Sequence, residues 1–366
     1  MKPVDCLDAF DVDQFLAEYW QRRPCLIRGW LKPAPQSLNA LVALATERDL
    51  PTRLVTGTQA GADWTLMHGP IERANLPRWE RNWTLLVQEM DKACPAVASI
   101  LKHLRFLPDW MIDDVMISQA ADGGSVGAHV DAYDVFLVQA AGQRCWQLAA
   151  NFDPQLDERF EMALLANWQP ETELIAEAGD ALYLPAGIAH HGVARGHCQT
   201  WSIGLRTPSG PELLFFLAEA LSERNMPRLA IKQIDRNHPA LVNQALVGQT
   251  RQLLENCLKL EDQELAAITA RFLSSWRLWR NENEDEPAEP DDILKLLASG
   301  QSVALQASTR LALVSEDDQT VLYLNGERID CPSALAQSLA AMRRIDPEWQ
   351  HHPEAVEQLV DLGALT

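Results

Sequence analysis

The stretch Gly123-Gly124-Ser125-Val126-Gly127-Ala128-His129-Val130-Asp131-Ala132-Tyr133-Asp134 decides how this chain is read. His129 and Asp131 form an His-x-Asp pair. In extended backbone, residues i and i+2 project to the same side, so one imidazole and one carboxylate reach the same point. Alone, such a pair reads equally as a surface turn after a glycine-rich loop. A distant segment changes the balance. Leu184-Pro185-Ala186-Gly187-Ile188-Ala189-His190-His191-Gly192-Val193 places a Pro–Gly turn after an apolar strand pattern, and two histidines then open the next strand. Two imidazoles and one carboxylate on one face of an iron ion leave three positions open, the arrangement of non-haem Fe(II) oxygenases. His129, Asp131 and one of the pair His190/His191 are therefore expected to hold a metal. No soft sulfur ligand competes in either segment.

The open positions of such a site take a bidentate 2-oxo acid and dioxygen, and the far carboxylate of the acid calls for a cation. Arg144 follows the strand pattern 134–139 and the turn signal Ala140-Ala141-Gly142-Gln143. A guanidinium there clamps a carboxylate through two parallel hydrogen bonds. Ser118, on the strand before the glycine-rich loop, is a further donor, and Thr200 and Ser202 are hydroxyls on the strand after the third ligand.

Around these residues, short apolar stretches at 114–118, 134–139, 144–148, 172–176, 181–184 and 200–205 alternate with Gly, Pro and Asp turns. Many short strands at close spacing predict an antiparallel sandwich or barrel. Upstream, Asp11 precedes the rhythm Phe15, Leu16, Tyr19, Trp20, an N-capped amphipathic helix. Cys25-Leu26-Ile27-Arg28-Gly29 reads as a short buried strand, 36–47 and 80–104 as helix, and 62–67 as a strand. After Arg206 the strands stop. Pro211 opens a helix, and further helices are predicted at 239–259 and 262–280. Acids and prolines dominate 281–292, a solvated linker. Beyond it, a helix at 291–299, strands at 309–315 and 320–324, an Asn325-Gly326 hairpin turn and helices at 333–343 and 353–361 predict a winged-helix-like unit. The expected domains are a catalytic segment 1–210, a helical region 211–285 and a C-terminal unit 286–366.

The chain has 366 residues and 47% hydrophobic content, ample for two or three cores. It carries 31 basic and 51 acidic residues, a net charge of −20. So acidic a protein repels nucleic-acid phosphates and attracts basic partners. The few cations of the C-terminal unit, Lys295, Arg310, Arg328, Arg343 and Arg344, favour protein contact or a structural role over DNA binding. Seven cysteines with no Cys-x-x-Cys pair support neither a disulfide framework nor a thiolate zinc site. No apolar run reaches transmembrane length, and acids stand where an export signal needs a basic start, so a cytoplasmic protein is expected. The helices of 211–280 carry more apolar surface than one side of a sandwich needs: Leu213, Leu214, Phe216, Leu217 and Leu221, then Leu265, Ile268, Phe272, Trp276 and Trp279. A homodimer built on them is expected.

The order His129-x-Asp131, Tyr133-Asp134-Val135-Phe136, Arg144-x-Trp146, Gly179-Asp180-Ala181-Leu182-Tyr183-Leu184-Pro185-Ala186-Gly187, then His190, resembles the JmjC oxygenases. Within them it is most similar to the bacterial ribosomal oxygenases, arginine hydroxylases of ribosomal protein L-sixteen. The opening 15–29, the helical middle and the small C-terminal unit carry that resemblance over nearly the whole chain. It implies a double-stranded β-helix, Fe(II), 2-oxoglutarate and O2, hydroxylation of a basic ribosomal protein, and dimerisation through the central helices. Carried over by position, His129, Asp131 and His190 are the metal ligands and Arg144 holds 2-oxoglutarate. His191, pointing to the other side of the strand, is not a ligand. An arginine substrate needs acidic and planar partners, for which Asp122 and Tyr133 are the candidates. One departure stands out: the family often has a small polar residue two positions past Ser118, and this chain has Ala120. The same triad also serves histidine hydroxylation or lysine demethylation of another protein, and a cupin-like binding protein without activity is the non-enzymatic alternative.

Overall fold

The computed structural model describes residues 4–47, 49–58, 63–76, 81–222, 224–231, 237–238, 240–276, 288–316 and 319–365. Two compact units result, one running to Thr207 and the other beginning at Pro208.

The first unit is built on eleven strands: β1 Asp5–Leu7, β2 Cys25–Ile27, β3 Thr52–Thr56, β4 Thr65–His68, β5 Trp83–Val87, β6 Ile112–Ala120, β7 His129–Val130, β8 Asp134–Ala149, β9 Thr172–Glu177, β10 Ala181–Leu184 and β11 Ala189–Leu205. The hydrogen-bonded order β1-β2-β10-β8-β11-β6-β5-β3-β4 makes one large sheet, with β7 on β11 and β9 on β8 off that path. The long pair β8 and β11 belongs to both layers. Residues 134–139 of β8 face 200–205 of β11 in the large sheet, and residues 143–149 face 189–195 in the small one. This is the double-stranded β-helix that the resemblance implies.

The sequence reading splits β8 into two strands at the Gly142 turn. The structure carries one strand through it and absorbs the irregularity as a bend, with register shifts between Arg195 and Thr200 on the partner. Gly142 has φ +65, and a Cβ there would lie 2.3 Å from the His197 carbonyl oxygen, so only glycine lets the pair turn this corner. A second correction concerns 80–104. Instead of one helix, that region holds β5, two short helices Met90–Ala93 and Pro95–Ala98, and a 3-10 turn Ser99–Leu104. Trp83-Thr84-Leu85-Leu86-Val87 is aromatic and β-branched enough to join the sheet, and Pro95 restarts the helix.

Alternation assigns the two faces of the large sheet. Val115, Ile117, Phe136, Val138, Trp201 and Ile203 enter the main core with Phe15 and Tyr183. Their neighbours Met116, Ser118, Val135, Leu137, Thr200 and Ser202 line a cavity on the other face. The N-terminal helix Val12–Glu18 is capped as expected, with Asp11 accepting from Gln14 N at 2.8 Å. Its Phe15 is fully buried and packs edge-on to Tyr183, ring centroids 4.8 Å apart. Each such side chain contributes about 1.5–3 kcal/mol.

The second unit holds helices Gly210–Ser222, Gln244–Cys257 and Asp262–Ser275, then Pro290–Ala298, Ser333–Met342 and Pro353–Asp361. A three-stranded sheet, Leu311–Glu316, Gln319–Leu324 and Glu327–Ile329, turns its second corner at Asn325-Gly326, where both residues have positive φ. Asp262–Ser275 packs on this sheet through Ala270 against Val314, Val321 and Tyr323. Phe216 packs against Phe272 with the rings tilted and their centroids 4.6 Å apart. Trp279 and most of the expected linker lie outside the described residues.

Candidate functional site

β7 is two residues long, and its pairing with β11 sets His129 directly opposite His190. Opposed side chains in an antiparallel pair share a face, and the two imidazole centroids lie 4.2 Å apart. The chain leaves β7 at Asp131, whose carbonyl accepts from Gly187 N at 2.9 Å. That contact joins the two motif segments at their turns. Asp131 Oδ2 stands 3.7 Å from His190 Nε2. One ligand atom from each of His129, Asp131 and His190 falls within 4.8 Å of the others.

The imidazoles are held in one tautomer. His129 Nδ1 lies 3.0 Å from Gly127 O, and His190 Nδ1 lies 3.0 Å from Ile188 O. A carbonyl only accepts, so Nδ1 carries the proton and Nε2 presents its lone pair. Burial, and then the neighbouring His129, hold the pKa of His190 below the usual histidine value, keeping it neutral. His191 faces the opposite side of β11. Its Nδ1 meets Gln147 Oε1 at 3.2 Å and its ring stands edge-on to Trp168.

The three residues open on a cavity of about 440 Å³, which Arg144, Ser118, Thr200 and Tyr133 also line. Arg144 is 3% exposed, yet among the described residues no carboxylate meets it. Its Nη1 donates weakly to Gly192 O at 3.4 Å, its Nη2 lies 3.6 Å from Cys198 Sγ, and its Nε has no partner among the described residues. A buried guanidinium without a counter-ion is costly unless an anion completes it. Ser118 Oγ donates to Thr200 O at 3.2 Å, and Thr200 Oγ1 to Gln139 Oε1 at 2.9 Å. Tyr133 lies under the Arg206 guanidinium at 3.8 Å, and burial pushes its phenol pKa up.

Asp122 does not line the cavity. Its carboxylate pairs with Arg81 at 3.0 Å and accepts from Gly196 N at 2.8 Å, which closes the glycine-rich loop. The acid that does line the cavity is Asp114, 7% exposed, its Oδ2 accepting from Glu89 N at 3.0 Å. Asp114 is not among the residues expected from sequence, although Asp114, Met116 and Ser118 share a face by simple alternation. Trp146, which enters the sequence motif only as the residue two past Arg144, also lines the cavity, its ring centroid 6.0 Å from that of His190.

Trp146 stands opposite Gly192, where a Cβ would lie 2.5 Å from the indole. Gly192→Ala is therefore expected to displace the ring into the cavity and to lower the unfolding free energy by about 1–3 kcal/mol. A denaturant midpoint equal to that of the parent chain would show that the ring has room.

These residues match known proteins over most of the chain. Residues 99–213 match a JmjC domain, and residues 252–365 match a ROXA-like winged helix. The chain is 31% identical over 340 residues to ribosomal protein uL16 3-hydroxylase of Escherichia coli K12, covering 89% of this chain and 88% of that protein. It is 30% identical over 333 residues to a probable ribosomal oxygenase of Haemophilus influenzae, covering 86% and 81%. Among solved structures, the E. coli ribosomal oxygenase YcfD in complex with cobalt and 2-oxoglutarate superposes with a TM-score of 0.80 at 27% identity, covering 98% of this chain and 99% of that one.

Proposed function

The chain belongs to the JmjC ribosomal oxygenases, and we propose from that premise that it hydroxylates an arginine side chain of a large-subunit ribosomal protein, using Fe(II), 2-oxoglutarate and O2. One observation carries the reading: a His/Asp/His set and a buried guanidinium that meets no carboxylate among the described residues open on the same cavity. The group fits the residues present. Two bare Nε2 atoms and a carboxylate suit a divalent iron, and Arg144 suits the far carboxylate of a 2-oxo acid. When bound, iron and 2-oxoglutarate supply the oxidising power that puts oxygen into an unactivated C–H bond.

The protein's own part is positioning. His129, Asp131 and His190 would hold the metal, with Gly127 and Ile188 carbonyls fixing the two rings. Arg144 would orient the cosubstrate, with Ser118 and Thr200 beside it. Tyr133 offers an aromatic wall and Asp114 a buried carboxylate, a pairing that suits a cationic, planar side chain. Intact-mass analysis of ribosomal proteins from cells with and without the gene tests the reading. One large-subunit protein is expected to carry one additional oxygen only when the gene is present. The same oxygen on a histidine, or methyl groups lost from a lysine, would move the substrate assignment.

Supporting a cytoplasmic site of action, all seven cysteines are free, and no helix among the described residues is long and apolar enough to cross a membrane. The C-terminal unit's exposed cations are engaged locally: Lys295 with Asp292, Arg328 with Asp330 and Arg344 with Asp346. That favours a protein partner over nucleic acid.

The homodimer is a further part of the proposal. Leu214 and Phe215 on the helix Gly210–Ser222 are 58% and 75% exposed, and Leu254 and Leu258 are exposed on and just after the next helix. Light scattering at micromolar concentration is expected to give twice the chain mass of 40.9 kDa. The paired substitution Leu214→Asp and Phe215→Asp is expected to give monomers. A strict monomer for the parent chain would rule out the dimer.

A further inference from the structure

The cavity holds an unusual concentration of unsatisfied polar atoms. Among the described residues, Arg53 Nε, Thr84 Oγ1, Arg144 Nε and Trp146 Nε1 are buried without a hydrogen-bond partner, and all four residues line it. A buried donor left unmade is expensive, so such groups persist where a ligand completes them. Arg144 is already accounted for. Thr84 is not.

Thr84 is fully buried on β5 and stands directly opposite Ala120 of β6. Directly opposed Cβ atoms lie about 4.5–5.5 Å apart, so a hydroxyl on either residue serves much the same point. Ala120 shares its side of β6 with Ser118, two residues away. It packs with Ala194 and Cys198. Ala194 is the register partner of Arg144, and Cys198 Sγ lies 3.6 Å from Arg144 Nη2. Strand pairing and packing therefore lead from Thr84 across Ala120 and Cys198 to the guanidinium. The metal-ligand set lies at another level, four residues along β11 at His190.

We infer that Thr84 donates a hydrogen bond to the far carboxylate of the 2-oxo acid held by Arg144, so that β5 supplies the hydroxyl that β6 lacks at Ala120. The inference rests on the reading of Arg144 as the cosubstrate clamp. It makes Thr84 a cosubstrate-binding residue and gives its unpartnered hydroxyl an acceptor.

The test is calorimetric titration of 2-oxoglutarate into the full chain loaded with Mn(II) without oxygen, which reads binding apart from turnover. Thr84→Val keeps the β-branched shape and removes only the hydroxyl. It is expected to weaken 2-oxoglutarate about tenfold and to leave the Mn(II) affinity unchanged, the loss of one hydrogen bond to a charged group. Thr84→Ser is expected to bind within about twofold of the parent, because it keeps the donor. Adding Ala120→Ser to Thr84→Val is expected to restore most of the loss. Parent-like binding by Thr84→Val overturns the inference, as does a parallel loss of Mn(II), or a double variant no tighter than Thr84→Val. Arg144→Ala, run alongside, separates the two levels. If it alone weakens 2-oxoglutarate, only the role of Thr84 falls; if it too binds like the parent, the clamp reading falls as well.

Discussion

His129→Ala, Asp131→Ala and His190→Ala are each expected to lower iron-dependent 2-oxoglutarate turnover by more than about 100-fold, the upper end of what losing a mere orienting partner costs a metal site. The folds are expected to survive. β7 is a two-residue strand at the sheet's margin, and neither His129 nor Asp131 belongs to the main core. Metal stoichiometry and thermal unfolding, measured on the same preparations, separate loss of the ligand from loss of the protein. His191→Ala is expected to stay within about tenfold of the parent, since its ring meets Gln147 and Trp168 on the side of β11 away from the cavity. Full turnover with stoichiometric iron in His129→Ala or Asp131→Ala would falsify the ligand assignment. A larger loss in His191→Ala than in His190→Ala would mean that the wrong histidine is named.

Arg144→Ala is expected to raise the 2-oxoglutarate requirement at least about 30-fold, taking about 2 kcal/mol for truncating one partner of a buried charge pair. The iron requirement is expected to move little. Arg144→Lys is expected to recover part of the binding, because a point charge replaces a fork. The buried position adds a stability test. Among the described residues the guanidinium has no acid beside it, so Arg144→Met without cosubstrate is expected to unfold at the same temperature as the parent or higher. The parent is expected to gain stability on adding 2-oxoglutarate, and Arg144→Met to gain none. Equal rises in both proteins, or equal losses of iron and 2-oxoglutarate affinity in Arg144→Ala, would make Arg144 a structural residue.

Much of the catalytic unit was legible because its chemistry sits on regular strands. Alternation fixes which residues share a face, so His129 with Asp131, and Ser118 with its neighbours, follow from spacing. The strand at 181–184 and the helix at 353–361 were read at their observed limits, because Gly, Pro and Asp punctuate both. Three readings failed for physical reasons. The Gly142 signal looked like a hairpin, but local sequence does not distinguish a turn that ends a strand from a bend within one. Residues 83–87 read as helix because a short, continuous apolar run has no period of its own. Asp122 drew notice by lying near the triad in sequence, whereas Asp114 stands apart from the motif on β6, and only the folding of the sheet brings the face it shares with Met116 and Ser118 against the cavity.

The shared bent ladder of β8 and β11 has a metric consequence. His190 and Ala194, the residue opposite Arg144, are four positions apart on β11. That is roughly 13 Å of backbone, bridged inward by an imidazole from one end and a guanidinium from the other. On the proposed reading of Arg144 as the clamp, the ladder acts as a ruler graduated in residues, and its span would set how long a dicarboxylic acid fits between metal and clamp. Moving Arg144 by one position turns it to the opposite face, and moving it by two changes the span by about 7 Å, more than any single carbon. Selectivity for acid length would then be quantised by strand pairing, with side-chain substitutions alone tuning only the strength with which the one permitted length is held.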